Sequence, residues 1–324
     1  MLNGKTVLIT GGTGSFGRKF AEIILKKYKV EKLIILSRDE LKQAEMRSSF
    51  GPDARLRFFI GDIRDRDRLY RAFDQVDIVV HAAALKRVPE CEYNPFEAIK
   101  TNILGAENII NAAIDRGVKR IIALSTDKAA NPVNLYGATK LCSDKLFIAG
   151  NSYVGKKDTR FSVVRYGNVM ASRGSVIPFF QQKKREGIIP ITDPRMTRFW
   201  ITLEQGIRMV LTALQKMEGG EIFVPKLPSM KITDLAKAIA PDCKHEMIGI
   251  RPGEKLHEIL ITKADARHTL EFNDFYIILP EYNWWNAANH RKGQAINVDF
   301  EYSSDQNEKW LSIEEMQKMI IEHN

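Results

Sequence analysis

The sequence predicts an α/β protein: a doubly wound parallel sheet with a smaller α/β lobe appended after about residue 166. Three observations predict it. Short apolar, β-rich runs alternate with helix-length segments through the first half, a glycine-rich turn separates the first run from the first helical pattern, and the alternation weakens after Tyr166, where Gly, Pro and aromatic residues punctuate the chain. With 324 residues, 44% of them hydrophobic, there is enough apolar surface for one enlarged domain or two. The 21 Gly and 12 Pro are ordinary usage, which excludes collagenous and disordered classes.

Taken in order, Lys5–Thr10, Lys32–Leu36, Leu56–Ile60, Asp77–Val80, Arg120–Leu124 and Phe161–Val164 read as strands. Phe16–Lys27, Asp67–Phe73, Phe96–Arg116 and Tyr136–Ile148 read as helices that cross back over a parallel sheet. Helical periodicity returns at Leu203–Lys216, Ile232–Ile239 and Ile313–Glu322. The expected division is a sheet domain over 1–166, rejoined by about 198–220, and a lobe over 167–197 and 221–324.

No run reaches the roughly 20 apolar residues of a membrane span, and the apolar stretch Thr6–Thr10 is too brief for a signal sequence. Cys91, Cys142 and Cys243 are odd in number and widely spaced, so neither a disulfide framework nor a metal site is expected, and a reducing cytoplasm fits. The net charge of +9 suits phosphate-bearing metabolites; clusters such as Lys183-Lys184-Arg185 lack a recognition helix or aromatic ladder, so no nucleic-acid partner is expected.

Directly after the first strand stands Gly11-Gly12-Thr13-Gly14-Ser15-Phe16-Gly17. Glycines at this junction let the backbone turn tightly and approach a pyrophosphate, whose charge then meets the amino terminus of the helix opening near Ser15. The second strand ends in Ser37-Arg38-Asp39-Glu40, where a carboxylate would bind a ribose diol. Here a hydroxyl and a guanidinium come first, so Ser37 and Arg38, helped by Lys42, favour the 2′-phosphate of NADP; if Asp39 faces the ribose instead, the preference vanishes. Asp62, in Gly61-Asp62-Ile63, can accept from an adenine amino group, and Ala82, Ala83 and Ala84 keep a narrow passage open.

The densest chemistry runs from Ser125-Thr126-Asp127-Lys128 to Tyr136-Gly137-Ala138-Thr139-Lys140, starting at the carboxyl end of the fifth strand. Tyr136 and Lys140 share a helical face, so the ammonium can pull the phenol from about 10 towards neutrality and equip it to take a hydroxyl proton. An exposed tyrosine beside a solvated lysine is the alternative at this spacing. Asp127 and Lys128 add an acid and a base that plain alcohol oxidation does not need; the alternative is an ion pair capping a loop. His257 and Cys142, in helical patterns, and Trp284-Trp285, read as core or subunit contact, complete the survey.

These segments, with Arg165-Tyr166-Gly167-Asn168-Val169, Met196-Thr197-Arg198-Phe199 and Arg251-Pro252-Gly253-Glu254-Lys255, resemble the inverting UDP-N-acetylglucosamine 4,6-dehydratases of the extended short-chain dehydrogenase/reductase superfamily. The likeness spans nearly the whole chain and is greatest to the soluble enzymes that open pseudaminic acid synthesis for flagellin glycosylation. It implies a Rossmann-type fold, bound NADP, UDP-N-acetylglucosamine as substrate and a homo-oligomer. Lys128 stands where retaining relatives carry glutamate, and the long hydrophobic amino-terminal region of membrane-anchored relatives is not expected.

Carried over by motif, Gly11, Thr13, Gly14, Ser15, Phe16, Gly17, Ser37, Arg38, Asp39, Lys42, Asp62, Ile63, Ala82, Lys86, Leu124, Ser125, Tyr136 and Lys140 would contact NADP. Asn168, Val169, Val176, Thr192, Arg251 and Glu254 would face the UDP-sugar, with Lys86 and Arg173 near either ligand. Tyr136 would take the proton of the sugar's 4-hydroxyl, Thr126 would orient Tyr136, Lys128 would remove the carbon 5 proton, and Asp127 would protonate the departing 6-hydroxyl. A UDP-hexose 4-epimerase needs Tyr136 and Lys140 but no eliminating pair. A non-catalytic NADP sensor needs none of them.

Overall fold

Thr6–Thr10 (β1), the run TVLIT, is buried at all five positions, as a strand covered on both faces must be. The computed structural model describes residues 1–170 and 175–323. Lys32–Ser37 (β2) and then Leu56–Ile60 (β3) pair in parallel on one side of β1. Ile78–His81 (β4), Arg120–Thr126 (β5), Arg160–Tyr166 (β6) and Ile222–Pro225 follow in parallel on the other. The order β3-β2-β1-β4-β5-β6 is that of a doubly wound sheet, with its topological switch point between β1 and β4. The fold class is therefore the expected one.

The boundary expected at residue 221 is corrected by the sheet. Ile222–Pro225 lies beside β6, and Phe275–Ile278, Thr269–Glu271 and Gln294–Ala295 add an antiparallel edge, making ten strands in all. These short runs carry too little periodicity to announce which sheet they join. Lobe residues form a second core around Ile177, Phe180, Ile191, Trp200, Leu235 and Met316. Strand Thr197–Ile201 stitches the two cores together by period-two alternation: Phe199 and Ile201 belong to the main core, and Trp200 between them to the lobe. Helix Leu203–Lys216, opened by a Thr202/Gln205 capping box, then packs against β5, β6 and the first helix.

The crossover helices are Ser15–Lys27 (α1), Glu40–Phe50 (α2), Arg66–Ala72 (α3), Val88–Tyr93 (α4), Pro95–Ile99 (α5), Gly105–Arg116 (α6) and Leu135–Gly150 (α7). The single helix expected over Phe96–Arg116 is α5 and α6 joined by a π-helical turn, Lys100–Leu104. Within that turn the Asn102 side chain donates to Leu85 O and Thr139 Oγ1 and accepts from Leu85 N, tying the turn to the β4 loop and to α7. Gly105 follows because a Cβ there would press on Ile63 at 2.8 Å.

The glycine turn is a packing necessity. Gly11 has φ +64°, and a Cβ on it would stand 2.9 Å from Ala83 Cα; a Cβ on Gly12 would stand 2.7 Å from Ile35 Cγ2, and one on Gly17 would collide with the Gly12 carbonyl. Gly17→Ala should lower stability by about 1–3 kcal/mol in denaturant unfolding. A midpoint equal to that of the unsubstituted chain would contradict this packing.

Candidate active site

The carboxyl ends of the parallel strands open into one cavity of about 1150 Å³, above the roughly 300–1,000 Å³ of a pocket for a single small ligand. Its wall collects nearly every residue singled out in the sequence. On the β1–β3 side lie Gly11, Thr13, Gly14, Ser15, Phe16, Ser37, Arg38, Asp39, Lys42, Asp62, Ile63 and Ala82; in the middle Lys86, Leu124, Ser125, Thr126, Lys128, Tyr136 and Lys140; on the lobe side Asn168, Val169, Val176, Thr192, Arg251 and Glu254. Gly17 and Asp127 are off the wall, Gly17 packing under Gly12 and Asp127 fully buried. Arg173 lies outside the described residues.

The glycine side fits the pyrophosphate of a dinucleotide. No side-chain hydrogen bond caps α1, whose N-cap is Gly14, and Gly11, Gly14 and Ser15 line the cavity there. Three bonds brace the turn from behind: Thr10 Oγ1 accepts from Ala82 N and Ala83 N, and meets His81 Nδ1 at 2.8 Å. Burial pushes the His81 imidazole down to about 3, so it remains neutral. At the end of β2, Asp39 is committed elsewhere. One carboxylate oxygen caps α2 through Lys42 N at 3.0 Å, the other holds the Lys42 ammonium, and these bonds keep its carboxyl below the usual range. Arg38 remains half-exposed, 3.6 Å from Asp62, whose main partner is Arg64 at 2.7 Å. Burial lowers the Lys86 ammonium, and among the described residues it makes no ion pair, a state suited to an anionic ligand.

Tyr136 and Lys140 stand on one face of α7, whose N-cap Asn134 accepts from Gly137 N at 2.8 Å and donates to Gly253 O at 2.7 Å. The expected fall in the tyrosine's pKa is not found. Burial drives the phenol up to about 12, against the pull of Lys128 and of its hydrogen bond with Thr126, while burial also lowers Lys140. Behind them Asp144 accepts from Ser125 Oγ at 2.7 Å and lies 3.4 Å from Arg165 Nη2.

Lys128 is the centre of the site. Its Nζ lies 3.0 Å from Asp127 Oδ1 and 3.0 Å from Glu258 Oε1, both carboxyl groups being almost wholly buried. Burial pulls the ammonium's pKa down, but the two carboxylates outweigh it and raise it. Burial raises Asp127; Glu258, in contrast, is held below its usual range because Lys128, Arg198 and Lys255 together outweigh its desolvation.

Glu258, Arg198 and Lys255 are the site residues that sequence reasoning missed. Arg198 donates to Leu256 O and Lys255 O, Lys255 Nζ donates to Ala130 O, and Glu258 N donates to Ser304 Oγ, so the 251–258 segment is fastened over the end of β5. The available signals were the Met196–Phe199 segment, which holds Arg198, and the Arg251–Lys255 motif, two of whose members already had roles. His257 is not helical; its Nδ1 meets Thr197 Oγ1 at 2.8 Å in the segment before Ile259–Ile261. Trp284 stacks on Tyr282 and Trp285 on His290, both off the cavity wall. Asn134→Ala should cost about 1–2 kcal/mol in denaturant unfolding. Asn134→Asp, which keeps the cap but cannot donate to Gly253, should recover part of that loss, and an Ala variant as stable as the parent would contradict the dual role.

Residues 7–280 match the family model described as polysaccharide biosynthesis protein. The chain is 56% identical over 329 aligned positions, covering 99% of this chain and 98% of the relative, to a Campylobacter jejuni protein named UDP-N-acetylglucosamine 4,6-dehydratase (inverting). It is 41% identical, covering 98% and 95%, to a Rickettsia conorii protein named UDP-glucose 4-epimerase. Among solved structures, Pen from Bacillus thuringiensis superposes with a TM-score of 0.91 at 37% identity, covering 100% of this chain and 98% of that one. Among the described residues no helix is long and apolar enough to cross a membrane. The chain thus belongs to the polysaccharide biosynthesis protein family and shares the Rossmann-type fold of the extended short-chain dehydrogenase/reductases.

Proposed function

We propose that this protein is an inverting UDP-N-acetylglucosamine 4,6-dehydratase that works on bound NADP and yields UDP-2-acetamido-2,6-dideoxy-β-L-arabino-hex-4-ulose. The observation that carries the reading is Lys128: an ammonium on the wall of a nucleotide-sized cavity, bonded to buried Asp127 and Glu258, in the same cavity as Tyr136 and Lys140. The 56% identity to relatives bearing that name supports it further. Pseudaminic acid synthesis for flagellin glycosylation is the route that the sequence resemblance implies for the product.

A bound oxidised nicotinamide dinucleotide supplies reversible two-electron oxidation, at carbon 4 and back at carbon 6, together with a positive ring charge that favours the phenolate. Tyr136 accepts the 4-hydroxyl proton, with Thr126 fixing its hydroxyl and the Lys140 ammonium adding positive charge. The resulting 4-ketone acidifies the hydrogen on carbon 5. Lys128 removes that proton, the electron pair forms the carbon 5–carbon 6 double bond, and the 6-hydroxyl leaves as water with a proton from the Asp127–Lys128 pair. Asp127 is off the wall, so its proton reaches the leaving group by way of Lys128, which is on it. Arg251, 3.7 Å from Glu254, and Lys86 are suited to the diphosphate and ribose of the sugar nucleotide, and Asn168 offers both donor and acceptor.

The 4-epimerase reading is the rival, favoured by the 41% relative of that name. Product mass separates the two. Incubation with UDP-N-acetylglucosamine should give a product lighter by one water; a product of unchanged mass would establish epimerisation instead, and no product would favour a sensor. Lys128→Ala should retain the dinucleotide and lose dehydration by at least about 100-fold, and retained turnover would exclude Lys128 as the essential base.

NADP is favoured over NAD because Asp39 is occupied as the cap of α2, leaving Ser37 and Arg38 for a 2′-phosphate. A charge-assisted bond of about 1.5–3 kcal/mol corresponds to roughly ten- to 150-fold preference. Arg38→Ala should remove about that factor from NADP affinity and leave NAD affinity unchanged, by calorimetric titration. Equal losses for both dinucleotides would contradict the assignment.

A further inference from the structure

Glu258 sits at the seam between lobe and sheet domain. Its carboxylate is 2% exposed and borders the cavity, with Oε1 3.0 Å from Lys128 Nζ and 3.8 Å from Arg198 Nε, and Oε2 4.0 Å from Lys255 Nζ. Neither Glu258 Oε2 nor Asp127 Oδ2 has a hydrogen-bond partner among the described residues. Two buried carboxylates therefore share one ammonium at equal distance, though their surroundings differ. Glu258 has Arg198 and Lys255 near it besides Lys128, and these hold it below its usual range; Asp127 is bonded to Lys128 and the Thr126 hydroxyl, with Lys255 farther off, and burial, joined by the negative charge of Glu258, pushes it up.

We propose that Glu258 is a third member of the acid/base group, a positioning residue that holds Lys128 Nζ at the cavity wall and, as a permanent anion, puts the mobile proton on the Asp127–Lys128 pair. The proton moves internally: the ammonium of Lys128 gives it to the Asp127 carboxylate, leaving an amine on the wall and a carboxylic acid behind it. The amine then takes the carbon 5 proton, and the proton held by Asp127 returns through Lys128 to the departing hydroxyl. The elimination consumes no outside proton; the proton that carbon 5 later takes on its opposite face is drawn from solvent and is matched by the 4-hydroxyl proton that Tyr136 releases. Lys128 remains aimed throughout because Glu258 does not change its charge. This inference rests on the dehydratase reading and assigns the residue that makes a lysine workable there. The other titratable groups facing the cluster are Arg198, Lys255 and Tyr136.

The test is Glu258→Gln in the full-length, dinucleotide-loaded protein. Glutamine keeps the volume and an acceptor for Lys128 but removes the charge. KM for UDP-N-acetylglucosamine and dinucleotide retention should be near those of the unsubstituted chain, while kcat for dehydration falls about 100-fold. Removing a negative charge eases proton loss from both Asp127 and Lys128, so the limbs of the kcat–pH profile should move to lower pH. Single-turnover formation of the reduced dinucleotide, which reports only the first oxidation, should persist. A purely structural glutamate would lower all steps together and leave the profile in place, and either that result or unchanged kcat and profile would overturn the proposal. If a fallen melting point shows that the glutamine variant is misfolded, Glu258→Asp decides: it keeps the charge but draws it back from Lys128, so kcat for dehydration should fall while single-turnover formation of the reduced dinucleotide persists, and a full rate, or an equal loss in both, would overturn the proposal. Absence of any dehydrated product from the unsubstituted protein is a different failure, that of the dehydratase reading itself.

Discussion

One ammonium joins the two halves of this molecule. Lys128, at the end of β5, is bonded at 3.0 Å both to its own neighbour Asp127 and to Glu258 on the segment that closes over it. Breaking such a buried arrangement by removing one partner typically costs about 3–5 kcal/mol, because a charge is then left in a poorly solvated site. The same bonds define the chemistry. The ammonium so held faces two carboxylates at the same distance.

The sheet delivers this group to its position. Parallel strands end together at one edge, and the switch between β1 and β4 opens the crevice there. On one side the glycine turn lines the crevice, packed so closely that a Cβ on Gly11, Gly12 or Gly17 would collide with the protein's own atoms. On the other, α7 presents Tyr136 and Lys140, its start fixed by Asn134, which also grips Gly253. The lobe closes the far wall, and the alternation of Phe199, Trp200 and Ile201 seats side chains of one strand in both cores.

Much of this was legible in the sequence because it is local. The glycine turn, the tyrosine and lysine on one helical face, and the strand–helix alternation each depend on residues within one element and its neighbours. Glu258 was not legible because its partner is far away in the chain and nothing in a linear pattern couples them. Asp127 was legible as an acid beside Lys128 but not as a residue facing away from the cavity, since adjacent residues at a strand's end can turn to either side. The π-helical turn at Lys100–Leu104 escaped because an apolar periodicity continues through it, and the strands from Ile222 onwards escaped because their runs of two to four residues fit either sheet.

The central claim is that Lys128, poised between two carboxylates, takes a proton from carbon 5 of a nucleotide sugar and that carbon 5 is later reprotonated from the opposite face. The most direct measurement is proton NMR of the product formed from UDP-N-acetylglucosamine in deuterium oxide. The account predicts deuterium at carbon 5 with inverted, L-arabino configuration. A product that keeps its carbon 5 hydrogen, or that carries the original configuration there, would contradict it.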